Sequence, residues 1–179
     1  TRDGRDVAVK VQYPGVAESI ESDLDNAEAF YRLGTAFVLK GLDAKGLVDE
    51  LRQRMGEELD YRREAANQTE FVEAYAGHPF ISVPSVYPSL STGRVLTSEL
   101  IVGARYQEVQ SWSQEERDLA GEAIFRFVFG CLYRLQAFNG DPHPGNYVFG
   151  GGGRVTILDF GLVKWFTEGD VALLAEMIK

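Results

Sequence analysis

The stretch from Asp141 to Gly161 constrains this chain more than any other. Asp141-Pro-His-Pro-Gly-Asn146 sets an acid and an amide five residues apart, on a turn stiffened by Pro142 and Pro144. Tyr147-Val-Phe149, a Gly150 to Gly153 turn and Val155-Thr-Ile-Leu158 then read as a hairpin, closed by Asp159-Phe160-Gly161. Two carboxylates and a carboxamide are thus arranged around one rigid supersecondary unit.

The rest of the chain is ample to build around that unit. Its 179 residues, 45% of them hydrophobic, can bury a core as one compact domain or two small lobes. A net charge of -9 lacks the basic surface that phosphate backbones require, so nucleic acid is excluded as a partner. The single cysteine, Cys131, lies among Phe129, Leu132 and Leu135 and reads as a small buried residue. The best apolar run, Ala123 to Phe138, is interrupted by Arg126 and Arg134 and is too short to span a bilayer. No signal-peptide stretch opens the sequence, and the missing initiator Met marks an expected fragment.

Asp3-Gly4 leads into Val7-Ala-Val-Lys10-Val11, a short strand ended by Pro14-Gly15. From Val16, the apolar Ile20, Leu24, Ala27, Tyr31 and Val38 recur at helical spacing, with Gly41 and Gly46 as breaks. A second helical run is predicted from Leu47 to about Tyr75. On it Glu57, Asp60 and Glu64 share a face, and Glu58 extends the Leu51-Met55 stripe. Ile81 to Tyr87 and Val95 to Val102 are predicted to pair as antiparallel strands, followed by a hinge at Gly103. Ser113 with Glu116 has capping-box spacing before a largely buried helix through Leu135.

Phosphoryl transfer asks a protein for cations on the phosphates, acids for magnesium and a group that orients the nucleophile. The order Asp141, Asn146, Asp159-Phe-Gly161 matches a kinase catalytic loop and magnesium loop, and Val7-Ala-Val-Lys10 offers the phosphate-holding lysine on a strand. By itself Lys10 reads as a solvated strand-end charge. Each acid near Glu58 has an equal claim to ordinary surface pairing, such as Glu58 with Arg62.

Five segments carry a family resemblance: Val7-Ala-Val-Lys10-Val-Gln-Tyr-Pro-Gly15-Val, Ser19-Ile-Glu-Ser-Asp23, Glu58-Leu-Asp-Tyr-Arg-Arg-Glu-Ala65, Gly140-Asp-Pro-His-Pro-Gly-Asn146 and Leu158-Asp-Phe-Gly161. In this order, from about Asp3 to Lys164, the chain resembles the UbiB (AarF) family of atypical protein-kinase-like ATPases. The resemblance implies an α+β, protein-kinase-like bilobal fold, represented in part. Residues 1–102 would form an incomplete N-lobe and 103–179 an incomplete C-lobe. It also implies ATP and Mg2+ as cofactors, ATPase or phosphotransferase activity, and a role in ubiquinone or other isoprenoid-lipid metabolism.

Carried over by residue, Lys10 is the phosphate-binding lysine, Glu64 its helix partner and Asp141 the catalytic-loop aspartate. By the same resemblance Asn146 and Asp159 would be the magnesium ligands, and Glu58 and Asp60 would form the family's acidic motif. Glu99, Leu100 and Ile101 would meet adenine through a hinge between Leu96 and Val102, and Ala8, Val9 and Leu158 would flank the base. His143, between two prolines, is assigned packing or hydrogen bonding. Phe138-Asn-Gly140 stands where protein kinases have His-Arg before the aspartate, which argues against a protein substrate.

Two other readings stand beside this one. The first is a nucleotide-sensing scaffold or pseudokinase that regulates a partner complex without phosphoryl transfer. The second is a small-molecule phosphotransferase of the aminoglycoside or choline type, disfavoured by Glu58-Leu-Asp60 and Pro14-Gly15. The resemblance further implies isoprenoid-quinone biosynthetic proteins as partners and a cytoplasmic setting, with membrane contact through segments outside this chain. The Gly-Asp-Pro-His-Pro-Gly-Asn form looks more bacterial than mitochondrial.

Overall fold

The computed structural model describes residues 1–35 and 44–177, so the expectations placed on Val38 and Gly41 lie outside the described residues. In chain order the elements are β1 (Val7–Val11), α1 (Val16–Thr35), α2 (Ala44–Glu58), α3 (Tyr61–Ala74), β2 (Ile81–Ser82), β3 (Val95–Glu99), α4 (Tyr106–Val109) and α5 (Gln114–Gly130). They continue with β4 (Ala137–Asn139), β5 (Tyr147–Gly150), β6 (Arg154–Ile157), β7 (Val163–Trp165) and α6 (Glu168–Glu176). Among the described residues, helices and three small sheets, β1-β3, β2-β6-β5 and β4-β7, make the α+β architecture expected from the sequence.

β1 begins where predicted, after a turn in which the Gly4 amide donates to Thr1 O at 3.1 Å and Gly4 takes φ +80°. It pairs antiparallel with β3, from Val7 opposite Glu99 to Val11 opposite Val95. Strand pleating sends Ala8 and Lys10 to one face and Val7, Val9 and Val11 to the other. Val9 therefore does not share the Lys10 face with Ala8, which corrects its expected place beside the nucleotide base.

The single helix expected from Leu47 to Tyr75 is two helices. Asp60 leaves helical geometry (φ -94°, ψ 94°), and its carboxylate accepts from the Arg62 amide at 3.1 Å, an N-cap on α3. The chain at the break is satisfied from outside. The Gln12 side chain donates to Leu59 O at 2.9 Å, and the Tyr61 amide donates to Gly93 O at 3.1 Å. Glu57, Asp60 and Glu64 consequently do not lie on one helix face. Arg52 on α2 reaches Glu21 and Asp25 of α1, each at 3.0 Å, and ties those two helices together.

The strand pair expected over 81–87 and 95–102 also forms only in part. β2 runs parallel to β6, and the approach to β3 is one bridge, Val86 to Ser98, flanked by the Tyr87 amide on Thr97 O and the Glu99 amide on Ser85 O. Pro84 and Pro88 have no amide hydrogen to donate, which limits the ladder there.

The Ser113 hydroxyl accepts from the Glu116 amide at 3.3 Å and caps α5, but the reciprocal half of the expected capping box is not made, because the Glu116 carboxylate accepts instead from the Gly152 amide at 2.9 Å. Ala120, Ala123, Phe127 and Cys131 form its buried stripe, while Phe125 is 62% exposed, so the helix buries one face rather than most of its surface. A π-helical turn, Cys131–Leu135, follows. Burial pushes the Cys131 thiol up to about 11, so it stays protonated and inert at neutral pH.

The predicted β5–β6 hairpin forms, with Tyr147 opposite Ile157 and Gly150 opposite Arg154, and with Gly152 and Gly153 at positive φ in the turn. Phe71 of α3, Phe127 of α5, Ile157 of β6 and Phe160 are each at most 1% exposed and join these elements in one core. Gly103 is held against this hairpin: a Cβ there would lie 2.7 Å from Phe149 O, so only glycine permits the approach.

Candidate active site

The site forms where β1, α3 and the segment after β6 meet. Lys10, on the inner face of β1, donates from Nζ to both carboxylate oxygens of Glu64 at 2.9 Å and to Asp159 Oδ2 at 3.1 Å. The pairing expected of Lys10 and Glu64 is thus present as geometry, with Asp159 as a third member. The Glu64 side chain is 3% exposed and that of Asp159 28%. Nζ also lies 5.1 Å from the centre of the Tyr61 ring.

The electrostatics follow from one ammonium shared by two carboxylates. Burial raises the Glu64 carboxyl above its usual value, and the charge of Asp159 adds to that; Lys10 offsets part of it. Burial works to lower the Lys10 ammonium, but the bonds and charges of Glu64, and then Asp159, outweigh it and move Lys10 upward. The cation therefore stays charged.

Asp159 is fixed on every side. Its Oδ1 accepts from the Gly161 amide at 2.9 Å, its Oδ2 from Lys10, and its backbone carbonyl from Asn139 Nδ2 at 2.8 Å. A Cβ on Gly161 would stand 3.3 Å from Asp159 Oδ1 and 3.6 Å from Glu64 Oε2, so a larger residue would wedge the two carboxylates. Phe160 is fully buried, with its ring centre 4.8 Å from that of Phe71.

The turn at the other end is local and exposed. Asn146 Nδ2 donates to Asp141 Oδ2 at 2.8 Å and to Asp141 O at 3.2 Å, while the Leu158 amide donates to Asn146 O at 2.9 Å and brings Asn146 beside the start of Asp159-Phe-Gly161. His143 Nδ1 accepts from the Gly145 amide at 3.0 Å, a turn-forming role as expected. The Asn146 amide oxygen and the Asp159 carboxylate are hard oxygen donors of the kind Mg2+ takes alongside phosphate oxygens, so the residues fit that ion. No cluster of three or more acidic, histidine or cysteine ligands exists among the described residues.

Other candidates fall at differing distances from this centre. Ala8 shares the Lys10 face two residues away. Glu99 ends β3, its carboxylate accepting from the Ser85 amide at 3.4 Å, and Leu100 is 46% exposed in the segment that leaves the strand. Ile101 follows it, and Leu158 is half-buried just ahead of Asp159. Asp60 serves as the α3 cap, and the side chain of Glu58 lies outside the described residues.

Sequence reasoning missed Asn67, Asn139, Tyr61 and Trp165. Asn67 is three residues beyond Glu64, on the same side of α3, and that spacing was the available signal. A cavity of about 350 Å³ between the end of α3 and α5, lined among others by Tyr75, His78, Phe129 and Arg134, contains none of the residues above.

Comparison with known proteins gives the family. The ABC1 atypical kinase-like domain matches residues 1–179. The rat protein "Atypical kinase COQ8B, mitochondrial" is 38% identical over 92% of this chain and 31% of its own length. The Caenorhabditis elegans protein "Atypical kinase coq-8, mitochondrial" is 34% identical over 99% of this chain and 24% of its own. The chain thus spans about a quarter to a third of the curated relatives it matches. A solved structure of Rv3197 from Mycobacterium tuberculosis, in complex with erythromycin, superposes with a TM-score of 0.79 at 41% identity, over 92% of this chain and 41% of that one. With mitochondrial names on these curated relatives and a bacterial source for the solved one, the comparisons do not support the expectation of a bacterial rather than a mitochondrial setting. No described helix is long and apolar enough to cross a membrane.

Proposed function

The chain belongs to the ABC1 atypical kinase-like domain family, and from that premise we propose that it binds ATP with Mg2+ and acts as an ATPase or phosphotransferase supporting ubiquinone or other isoprenoid-lipid metabolism. The observation that carries this reading is the placement of Lys10 between buried Glu64 and Asp159. A lysine held by a helix carboxylate beside the Asp-Phe-Gly aspartate is the arrangement kinases use to grip nucleotide phosphates.

In this reading Glu64 aims the Lys10 ammonium at the α- and β-phosphates. Asn146 and Asp159 would hold Mg2+, which when bound would supply positive charge to the phosphoryl oxygens. Asp141, with one carboxylate oxygen occupied by Asn146, has the other available to orient an attacking hydroxyl or water. Ala8 and Leu158 flank the base, and the backbone of Glu99 to Ile101 meets its edge. Isoprenoid-quinone biosynthetic proteins are the partners that accompany this reading.

The test is MgATP binding and phosphate release by the intact protein. Lys10→Ala and Asp159→Asn are each expected to lower turnover roughly 100-fold or more, the scale for removing a group that stabilises transferring charge. Turnover that survived Asp159→Asn would remove that residue from the reaction. Tight binding without release would replace the enzyme with a nucleotide-sensing scaffold.

A further inference from the structure

Asn67 is 8% exposed, and both ends of its carboxamide are used. Nδ2 donates to Phe160 O at 3.0 Å, and Oδ1 accepts from the Trp165 indole Nε1 at 3.2 Å. A carbonyl on one side and an N–H on the other fix the orientation of the amide, since the flipped one would set two acceptors and two donors face to face. Packing does not require this group. The Phe71 ring, one turn along α3, already covers Phe160 and lies 6.1 Å from the Trp165 ring.

The same segment is gripped from the opposite strand, where Asn139 of β4 takes Asp159 O and the Gly140 amide donates to Leu162 O at 2.8 Å. Two asparagines, one on α3 and one on β4, therefore hold the successive carbonyls of Asp159 and Phe160. Glu64, Asn67 and Phe71 recur along one face of α3 and meet, in turn, the aspartate, the backbone and the ring of Asp159-Phe-Gly161.

We propose that Asn67 is a positioning residue that locks the Asp-Phe-Gly segment to α3, so that the Asp159 carboxylate stays aimed at the Lys10 site, and that Trp165 extends the lock to β7. The catalytic side of this proposal rests on the nucleotide-binding reading above; the mechanical side does not. Loss of the amide frees the Phe160 carbonyl and lets residues 159–165 sample other positions, while Phe71 and the remaining core keep the chain folded.

The experiment compares wild type, Asn67→Leu and Trp165→Phe in the intact protein by hydrogen exchange and by magnesium titration of ATP turnover. Asn67→Leu should speed amide exchange at residues 159–165 at least tenfold and leave the β5–β6 hairpin unchanged. Trp165→Phe, which keeps the Phe160 bond, should change exchange less. Asn67→Leu should also raise the Mg2+ concentration for half-maximal turnover at least tenfold, with the ATP KM at saturating Mg2+ little altered.

Exchange that stays at the wild-type rate in 159–165, or that accelerates equally throughout the chain, would overturn the lock. An unchanged Mg2+ midpoint alongside local acceleration would overturn the aim of Asp159. If wild type neither bound nor hydrolysed MgATP, the nucleotide reading and the aim of Asp159 would fall together, and the exchange arm would still decide the lock.

Discussion

The two acidic ends of the site are held by different physics. Asp141 is exposed and is fixed within the eight residues 139–146, by Asn146 on its carboxylate and carbonyl and by Asn139 Oδ1 on its amide at 3.3 Å. Glu64 is buried, and both its partner Lys10 and the Asp159 carboxylate that shares that ammonium come from far away in sequence. The first arrangement is a stiff local turn that survives small changes elsewhere. The second exists only while α3, β1 and the Asp-Phe-Gly segment stay packed together, so its chemistry depends on core packing.

The largest expected effect breaks that dependence. Phe71→Ala removes the ring against which Phe160, Phe127 and Trp165 pack, and should lower stability by about 3–5 kcal/mol in urea unfolding, the range for a buried aromatic. Among molecules that remain folded, nucleotide affinity should fall as well. The local turn predicts the reverse proportion. Asn146→Ala deletes two hydrogen bonds at an exposed site and should cost about 1 kcal/mol of stability while abolishing magnesium-dependent turnover. A stability loss as large as that of Phe71→Ala would mean that the turn is part of the core after all.

The same contrast decided what could be read from the residues. The Asp141 turn, the β5–β6 hairpin and the Ser113 start of α5 are local, and short-range chemistry alone predicted them: prolines, glycines at positive φ and a capping serine. The break at Asp60 was a local cap hidden by a hydrophobic period that runs across it; the carbonyls and amides that complete it come from Gln12 and Gly93. The partner of β3 was misread because proximity in sequence favoured residues 81–87, whereas the edge is filled by β1 from the start of the chain. Lys10 with Glu64 was named only through family resemblance. Nothing in the composition of either segment says that the two meet, and Asn139 and Asn67 went unnoticed because their partners are backbone atoms, which no side-chain pattern reveals.

The smallest expected effect tests the cost of that long-range centre. Because burial raises the Glu64 carboxyl, the folded state binds protons more readily at that position than the unfolded chain does. Stability from this group is therefore fully present below the unfolded carboxyl value and is lost as pH rises from there through the raised folded value, the opposite of a carboxylate stabilised by its partners. Glu64→Gln removes the titration and the burial of charge, and Lys10 keeps Asp159 and solvent as partners. At neutral pH the variant should unfold at the same denaturant concentration as wild type or slightly above it, and the wild-type advantage on acidification should vanish, while ATP turnover drops at least tenfold. A clear loss of stability in Glu64→Gln at neutral pH would show that the ion pair outweighs its own desolvation, and that the centre is held by its charges more than by the core beneath it.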